Sequence, residues 1–394
     1  MNERELFKAI CAGQKPDYVP IFGFEGAPGM SLGAMRKTHE RLVATGMPGW
    51  VDGSWSAKGG SSETWRRYWG TSTPLGIDFF PAEKPRGFKS VRRIEGEFEI
   101  VEEETGAVTR QVIDNDVTYS MPHFEVYPVR DRASWEFFRE RRTPGKLWSR
   151  DRIEDACRRY DDRDRPLVVS VHSTWGGLRS LMGPEKACTV LYDDPELAHD
   201  IIDFYAWLTE EYAFPLIERL KPEIAAGGED CCYNHGTFYG PAHFEEFCAP
   251  AYRKIGQAAS ACGAAMVAID TDGRIDEFVA LVEPCGVNAI YPCEVKACND
   301  LFALRERHPK FIFLGWLEKE CVNEGSEDSI EPEIMSKVPK LLAKGRYFPN
   351  GDHGLQPMVT FPNLCRFMTL LHEVTGNPEG EFPRMRAGQV AARA

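Results

Sequence analysis

The amino-acid sequence predicts an α/β fold, a (β/α)8 TIM barrel. Short apolar runs recur along the chain, and amphipathic segments with apolar residues three and four positions apart separate them. This alternation repeats eight times, which is the arrangement that closes strands and helices into a barrel. A doubly wound sheet is the alternative that the same alternation allows.

The eight apolar runs are the predicted barrel strands. They span residues 19–24, 76–80, 167–171, 223–230, 264–270, 287–292, 310–316 and 346–352. The amphipathic segment 194–220 is typical of the helices between them. Its start is predicted at Asp194, a capping acid followed by Pro195 in the first turn.

One region departs from the strand–helix rhythm. Polar and apolar residues alternate over 97–113, and the pair Thr105-Gly106 in the middle predicts a turn. We interpret this as a β-hairpin within an insertion at about 85–130. Residues 1–394 are otherwise predicted to form a single barrel domain, a length normal for an elaborated α/β barrel.

Composition limits the partners of the protein. The formal net charge is −13, and phosphate backbones need a concentrated basic face, so nucleic acid is excluded as the expected partner. The sequence predicts no membrane span and no signal peptide, and we expect a cytoplasmic protein. The 12 cysteines include no Cys-x-x-Cys pair, which favours reduced thiols and argues against a zinc ribbon.

Ionisable and aromatic residues follow the predicted strands. The carboxyl ends of barrel strands meet at one face, the mouth, where such folds do their chemistry. The residues expected there are His172 and Trp175 after strand three, Asp230 and Tyr233 after strand four, Asp270 and Asp272 after strand five, Cys293 and Glu294 after strand six, Trp316 after strand seven, and Asp352 and His353 after strand eight.

Each of these residues also has a structural interpretation. Asp272 before Gly273 is compatible with a simple helix cap. Cys293 is as compatible with a small buried apolar residue as with a metal ligand. Trp175 and Trp316 fit the wall of a pocket better than a catalytic role. It is the whole set, more than any member, that predicts an active site at the mouth.

Three segments resemble the uroporphyrinogen decarboxylase-like superfamily over essentially the whole chain. The opening segment contains Lys15-Pro16-Asp17-Tyr18-Val19-Pro20. The segment GGEDCCYNHGTFYGPAHFEEFCAPAYRKI (227–255) is similar to the superfamily's Gly-Asp-Asp region and the helix after it. The segment GRYFPNGDHGLQPMVTFPNL (345–364) resembles its Gly-His-Gly-x-x-Pro ending. The resemblance implies a TIM barrel.

Two chemistries dominate that superfamily. Its decarboxylases clamp a polycarboxylate tetrapyrrole with an arginine-rich N-terminal signature. This chain instead has GAPGMSLGAMRKTHERL (26–42) there, and Arg36 alone does not replace two arginines that bind carboxylates as bidentate partners. The resemblance therefore implies the other branch, the corrinoid-dependent methyltransferases. The chain has no Asp-x-His-x-x-Gly corrinoid motif, so the corrinoid would be carried by a separate protein. Relatives in the superfamily imply a monomer or a homodimer.

The resemblance also implies a metal site. The His-x-Cys ligand pair of those methyltransferases falls on Asp270 and Asp272, and their last cysteine ligand falls on His353. Cys293 or Glu294 would complete the coordination. Zinc is the expected metal, although carboxylate ligands also suit manganese or iron.

Three hypotheses follow from these observations. In the first, the protein moves a methyl group from a small O-methylated substrate to the corrinoid of a partner, with metal assistance. Tyr233, Phe238, Tyr239 and Trp175 would wall the substrate pocket. In the second, it is a cofactor-independent decarboxylase or lyase of a small carboxylic acid, in which Asp230, Asp270 and His353 act as acid–base groups and His172 or Arg36 binds the substrate. In the third, it is a ligand sensor or scaffold without catalysis.

Overall fold

The computed structural model describes residues 1–24, 34–53, 63–77, 87–113, 122–143, 150–323 and 327–386. Strands are distributed along these ranges, from Ile21 to Gly351. They are β1 (Ile21–Phe22), β2 (Thr71–Ser72), β3 (Leu75–Gly76), β4 (Ser90–Glu95), β5 (Phe98–Glu103), β6 (Val108–Val112), β7 (His123–Val126), β8 (Leu167–Ser170), β9 (Ile224–Gly228), β10 (Cys232–Tyr233), β11 (Gly236–Thr237), β12 (Met266–Thr271), β13 (Ala289–Pro292), β14 (Ile312–Leu317) and β15 (Tyr347–Gly351).

Helices separate the strands. They are α1 (Glu3–Cys11), α2 (Arg36–Ala44), α3 (Glu63–Trp69), α4 (Arg132–Arg142), α5 (Arg150–Tyr160), α6 (Trp175–Met182), α7 (Pro184–Asp193), α8 (Pro195–Leu208), α9 (Phe214–Leu220), α10 (Pro241–His243), α11 (Ala249–Ala261), α12 (Asp276–Val282), α13 (Leu301–Arg307), α14 (Glu320–Asn323), α15 (Glu327–Lys344) and α16 (Phe361–Thr375). The predicted start of α8 is confirmed, because the Asp194 side chain accepts a hydrogen bond from the Leu197 amide at 3.0 Å.

The predicted TIM barrel is confirmed. A parallel sheet runs in the order β15-β14-β13-β12-β9-β8-β3. Residues 71–76 continue it round the ring, since β3 pairs with β8 and β2 pairs in parallel with β1. The ring closes between β1 and β15, where the Asn350 side chain donates to the Phe22 carbonyl oxygen at 3.1 Å.

Two sequence predictions need correction. The second barrel strand was placed at 76–80, but the structure has its strand residues at Thr71–Ser72 and Leu75–Gly76, and residues 78–80 lie outside the described part. The predicted hairpin is real, with β5 and β6 antiparallel around Gly106, but it is the middle of a four-stranded sheet, β4-β5-β6-β7. The alternation predicted the central pair and gave no signal for the strands outside it.

Two apolar layers hold the barrel together. Outside it, the helices pack on residues such as Val169, Val267 and Phe313. Inside it, Phe22 and Phe348 contact Phe7 of α1, with ring centroids 5.0 and 5.4 Å from that of Phe7. Helix α1 therefore closes the end of the barrel where the strands begin, and the opposite end is left for polar residues.

Candidate metal centre and active site

Three side chains that could bind a metal ion converge at the mouth. Asp272 follows β12, Glu294 follows β13 and His353 follows β15. Because these strands are parallel members of one sheet, their carboxyl ends lie on the same rim. One possible ligand atom from each of the three residues lies within 4.8 Å of the other two, which is close enough for a single cation to bind all three.

The geometry of this group fits a divalent cation. His353 Nδ1 lies 3.9 Å from Asp272 Oδ1, with the two side chains 29% and 44% exposed. That nitrogen is buried, and among the described residues it has no hydrogen-bond partner. A buried polar atom without a partner calls for an explanation, and a bound ion is one. Two carboxylates and one imidazole are ligands that zinc, manganese and iron accept.

An excess of negative charge surrounds the group. Burial, followed by the Glu294 carboxylate, raises the pKa of Asp272 to about 6, although His353 acts in the opposite direction. Burial and then the neighbouring Asp230 and Asp272 carboxylates raise the pKa of Asp270 well above its usual value. The carboxylates therefore repel one another in the metal-free protein, and a cation would relieve this repulsion.

Asp270 occupies the floor of the mouth. It is on β12, where side chains alternate, so that Met266, Ala268 and Asp270 face the barrel interior. Its neighbour across the sheet is Tyr291 of β13, which stacks on Phe24 with ring centroids 4.6 Å apart. Asp270 is therefore a carboxyl group between an apolar layer and the acidic cluster, and it is outside the three-ligand group.

Asp230 forms an ion pair at the side of the mouth. Its Oδ2 accepts a hydrogen bond from an Arg179 guanidinium nitrogen at 2.5 Å. Its backbone is in the left-handed region, with φ of 43°, which is uncommon for a residue with a side chain. The preceding residue, Glu229, is buried and accepts hydrogen bonds from the Thr174 and Gly176 amides. Glu229 thereby holds the start of α6, the helix that carries Arg179.

Aromatic side chains line the same side. Tyr233 stacks on Phe238 with ring centroids 5.1 Å apart, and Phe238 lies 6.3 Å from Trp175. Trp175 contacts Tyr239 edge to face, and both are buried. Tyr233 alone of the four is largely exposed, so Tyr233 and Phe238 form the accessible part of this wall.

Three residues predicted for the mouth are packed against neighbouring residues near it and lie outside the three-ligand group. Cys293 is buried, and its Sγ contacts the Ile290 carbonyl oxygen. Trp316 is buried behind β14, where its ring packs against Phe302. The His172 ring lies 5.8 Å from that of Tyr205 on α8, and burial lowers its pKa to about 4.

Backbone conformation explains why two of these side chains depart from the alternation. Cys293 and Trp316 have φ of 61° and 68°, in the left-handed region. A residue in this region interrupts the extended conformation, so its own side chain does not follow the period of two. A count of alternating positions in the sequence does not reveal this.

Sequence reasoning missed Arg179 and Asn299. Arg179 is one of many arginines, and only the folded chain brings it to Asp230. Asn299 lies in the loop after β13 and hydrogen-bonds to the segments that carry two of the three ligands. Neither residue belongs to a motif that would single it out.

Comparison of the sequence with known protein families identifies the family to which the chain belongs. The family described as uroporphyrinogen decarboxylase (URO-D) matches residues 119–374, more than half of the chain. The chain belongs to the URO-D family. All three residues of the candidate metal centre lie within the part that matches the URO-D family, as do Asp230, Asp270 and Arg179.

A solved structure agrees with the URO-D barrel. A methyltransferase from Methanosarcina mazei superposes with a TM-score of 0.57 at 12% sequence identity, covering 95% of this chain and 98% of the other. At this identity the similarity shows the fold alone. No match was found among curated proteins. In the described residues, no helix is both long and apolar enough to span a membrane.

Proposed function

We propose that this URO-D family member is a metal-assisted methyltransferase. It moves a methyl group from a small O-methylated substrate to the corrinoid of a separate protein. The observation that carries the proposal is the group Asp272, Glu294 and His353, in which an unpartnered buried imidazole nitrogen faces two carboxylates. The similarity in fold to a methyltransferase supports it, and so does the missing arginine signature of the decarboxylases.

The three side chains would hold the metal. Three protein ligands are the number that catalytic zinc sites use, leaving a coordination position for substrate. A cation bound there supplies a Lewis acid for the oxygen of the methyl ether or alcohol. Zinc is the metal that we expect, and the two carboxylates also suit manganese.

Asp270 would act as the general acid. When the carbon–oxygen bond of the substrate breaks, the electron pair would stay on oxygen and the methyl group would pass to the corrinoid of the partner. The oxygen then needs a proton. Burial and the two nearby carboxylates raise the pKa of Asp270, which favours its protonated form and makes it the candidate donor of that proton.

The aromatic wall would bind the rest of the substrate. Tyr233 and Phe238 offer flat apolar faces beside Asp230. Such faces suit an aromatic or other apolar ether, and they exclude water from the reacting oxygen. The cytoplasmic location and the homodimer stay predictions.

The second candidate is a cofactor-independent decarboxylase or lyase. The observation that favours it is the raised pKa of Asp270 beside the Arg179–Asp230 ion pair. Together these groups would supply an acid and a cation for a small carboxylic acid. In this case activity would not depend on metal.

A methyl-transfer assay separates the candidates. The protein is loaded with Zn²⁺ and given cob(I)alamin with a series of methoxylated aromatic compounds, and loss of cob(I)alamin is followed by absorbance. Wild type is expected to consume cob(I)alamin and His353→Ala is not. The control is His308→Ala, which removes a histidine paired with Glu283 next to the start of β14.

Either of two results would contradict the proposal. One is the absence of methyl transfer with wild type, together with release of CO2 from small acids in the presence of a chelator, which would favour the second candidate. The other is methyl transfer by His353→Ala at the wild-type rate, which would remove the metal centre from the mechanism.

A further inference from the structure

The three candidate ligands come from separate loops. Asp272 precedes Gly273 after β12, Glu294 lies after β13, and His353 lies after β15. A single cation can bind all three only where the protein holds these loops at a fixed separation.

Asn299 connects two of these loops. Its side-chain Nδ2 donates to the carbonyl oxygens of Gly273 and Glu294, both at 2.9 Å. Its Oδ1 accepts from the Ile275 amide at 3.0 Å. The side chain is buried, so these bonds do not compete with water.

Asn299 is itself fixed in place. Its carbonyl oxygen accepts a hydrogen bond from Trp316 Nε1 at 2.9 Å. The Trp316 ring is held by Phe302 and by Lys337, whose Nζ lies 4.6 Å from the ring centroid. The residue that cross-links the Asp272 and Glu294 loops is therefore tied to β14, the strand between β13 and β15.

The third ligand is joined to the same frame by Asp352. Its carboxylate accepts from the amides of Val295 and Lys319, both at 3.0 Å. Val295 follows Glu294 and Asp352 precedes His353, so this carboxylate links the Glu294 and His353 loops. Asn299 and Asp352 together connect all three ligand loops.

We propose that Asn299 is a positioning residue of the metal centre, which holds the Asp272 and Glu294 loops at the separation that a cation needs. The inference rests on the metal centre of the proposed function and adds a residue to it. It predicts that Asn299 affects metal affinity without touching the metal, because outer residues that orient ligands alter affinity by about 10- to 100-fold.

The chain offers a matched control in Asn288. Its Oδ1 accepts from the Val267 amide at 2.7 Å, and its Nδ2 donates to the Ala265 carbonyl oxygen at 3.2 Å. Asn288 thus cross-links β12 and β13 where they begin, as Asn299 cross-links the loops where the same strands end. Only Asn299 is next to the candidate ligands.

The test measures Co²⁺ affinity by competition with a chelator for wild type, Asn299→Ala and Asn288→Ala. Thermal unfolding of each metal-free protein reports stability. We expect Asn299→Ala to lose about 10- to 100-fold in affinity and Asn288→Ala to stay within about twofold of wild type. Both variants should lose stability, so a loss of stability alone does not explain the difference in affinity.

A second variant protects the test against misfolding of Asn299→Ala. Trp316→Phe keeps an aromatic ring behind β14 and removes the N–H that fixes Asn299. One hydrogen bond corresponds to an affinity loss of about 2- to 10-fold.

The outcomes separate the inference from the proposed function. If wild type binds no Co²⁺, the metal centre and the role of Asn299 are both wrong. If wild type binds Co²⁺, and Asn299→Ala and Trp316→Phe bind it equally tightly, only the positioning role is wrong. Equal losses in Asn299→Ala and Asn288→Ala would also overturn it, because the effect would then come from general destabilisation.

Discussion

The two ends of the barrel treat buried charge in opposite ways. Where the strands begin, Glu223 is 3% exposed and accepts hydrogen bonds from Arg4, Arg163 and the Leu167 amide. Burial alone would raise its pKa, but these donors lower it below its usual value. Where the strands end, Asp270 has two carboxylates as neighbours, and its pKa is raised.

Within one sheet, the charges at the closed end contribute to stability, whereas the charges at the mouth do not. Matched charges at the closed end stabilise the barrel together with α1. Unmatched acids at the mouth cost stability in the metal-free protein, and such local conflicts are expected at functional sites. The acids at the mouth are therefore better explained by a ligand than by the fold.

The largest effect that we expect comes from replacing one buried carboxyl group at each end of the barrel by an amide and comparing the change in stability. Glu223→Gln leaves the Arg163 guanidinium, itself only 6% exposed, without its carboxylate partner. Breaking a buried ion pair in this way destabilises by about 3–5 kcal/mol. Asp270→Asn keeps the size of the side chain and cannot ionise among the neighbouring carboxylates, so it should leave the metal-free protein as stable as wild type or more so. Urea unfolding of the two variants measures both effects, and equal destabilisation would contradict the contrast between the ends.

A smaller effect is expected from two glycines at opposite ends of β12. Gly263 and Gly273 have φ of 77° and 84°. An alanine Cβ at Gly263 would meet no atom within 4 Å, whereas at Gly273 it would lie 2.6 Å from backbone atoms of Cys232 and Tyr233. Both alanine variants pay about 1–2 kcal/mol for the left-handed backbone, and Gly273→Ala should lose about 1–3 kcal/mol more through the collision.

Metal binding is expected to distinguish the two glycine variants as well. Gly273 donates to Glu294 Oε2 at 2.7 Å and follows Asp272, so its displacement should weaken Co²⁺ binding. Gly263→Ala should bind Co²⁺ as wild type does. Equal unfolding free energies for the two variants would show that the close approach at Gly273 has no energetic consequence.

The smallest effect concerns the acidity of Asp272. Its folded-state pKa of about 6 is above its ordinary value, so ionisation destabilises the metal-free fold as pH rises through about 6. Asp272→Asn should therefore be more stable than wild type at pH 8, by about 1 kcal/mol after allowance for its solvent exposure. The gain should vanish at pH 4, where the wild-type carboxyl is protonated. A gain that is the same at both pH values would contradict this assignment.

The sequence predicted the barrel because its strands are buried on both faces and read as apolar runs between amphipathic helices. It placed the second strand wrongly, since residues 71–76 include the polar residues Thr71, Ser72 and Thr73, which are buried here and look like a loop in the sequence. It missed the outer strands of the inserted sheet, because β4 is exposed along its whole length and carries no pattern of burial.

The site was predictable where chain direction alone decides position. Asp272, Glu294 and His353 directly follow strands of one parallel sheet, so their meeting follows from topology. Cys293 follows β13 and Trp316 lies near the end of β14, but both side chains are buried away from the mouth and both residues have positive φ values. Arg179 and Asn299 act through contacts between distant segments, which no periodicity records.

We propose that Asp272, Glu294 and His353 bind one metal ion at the mouth. Elemental analysis of untagged protein after purification and dialysis tests this binding, with His353→Ala and His308→Ala measured in parallel. We expect close to one equivalent of zinc in wild type and in His308→Ala, and almost none in His353→Ala. Wild-type protein without metal, even after incubation with Zn²⁺, or full zinc retention by His353→Ala, would contradict it.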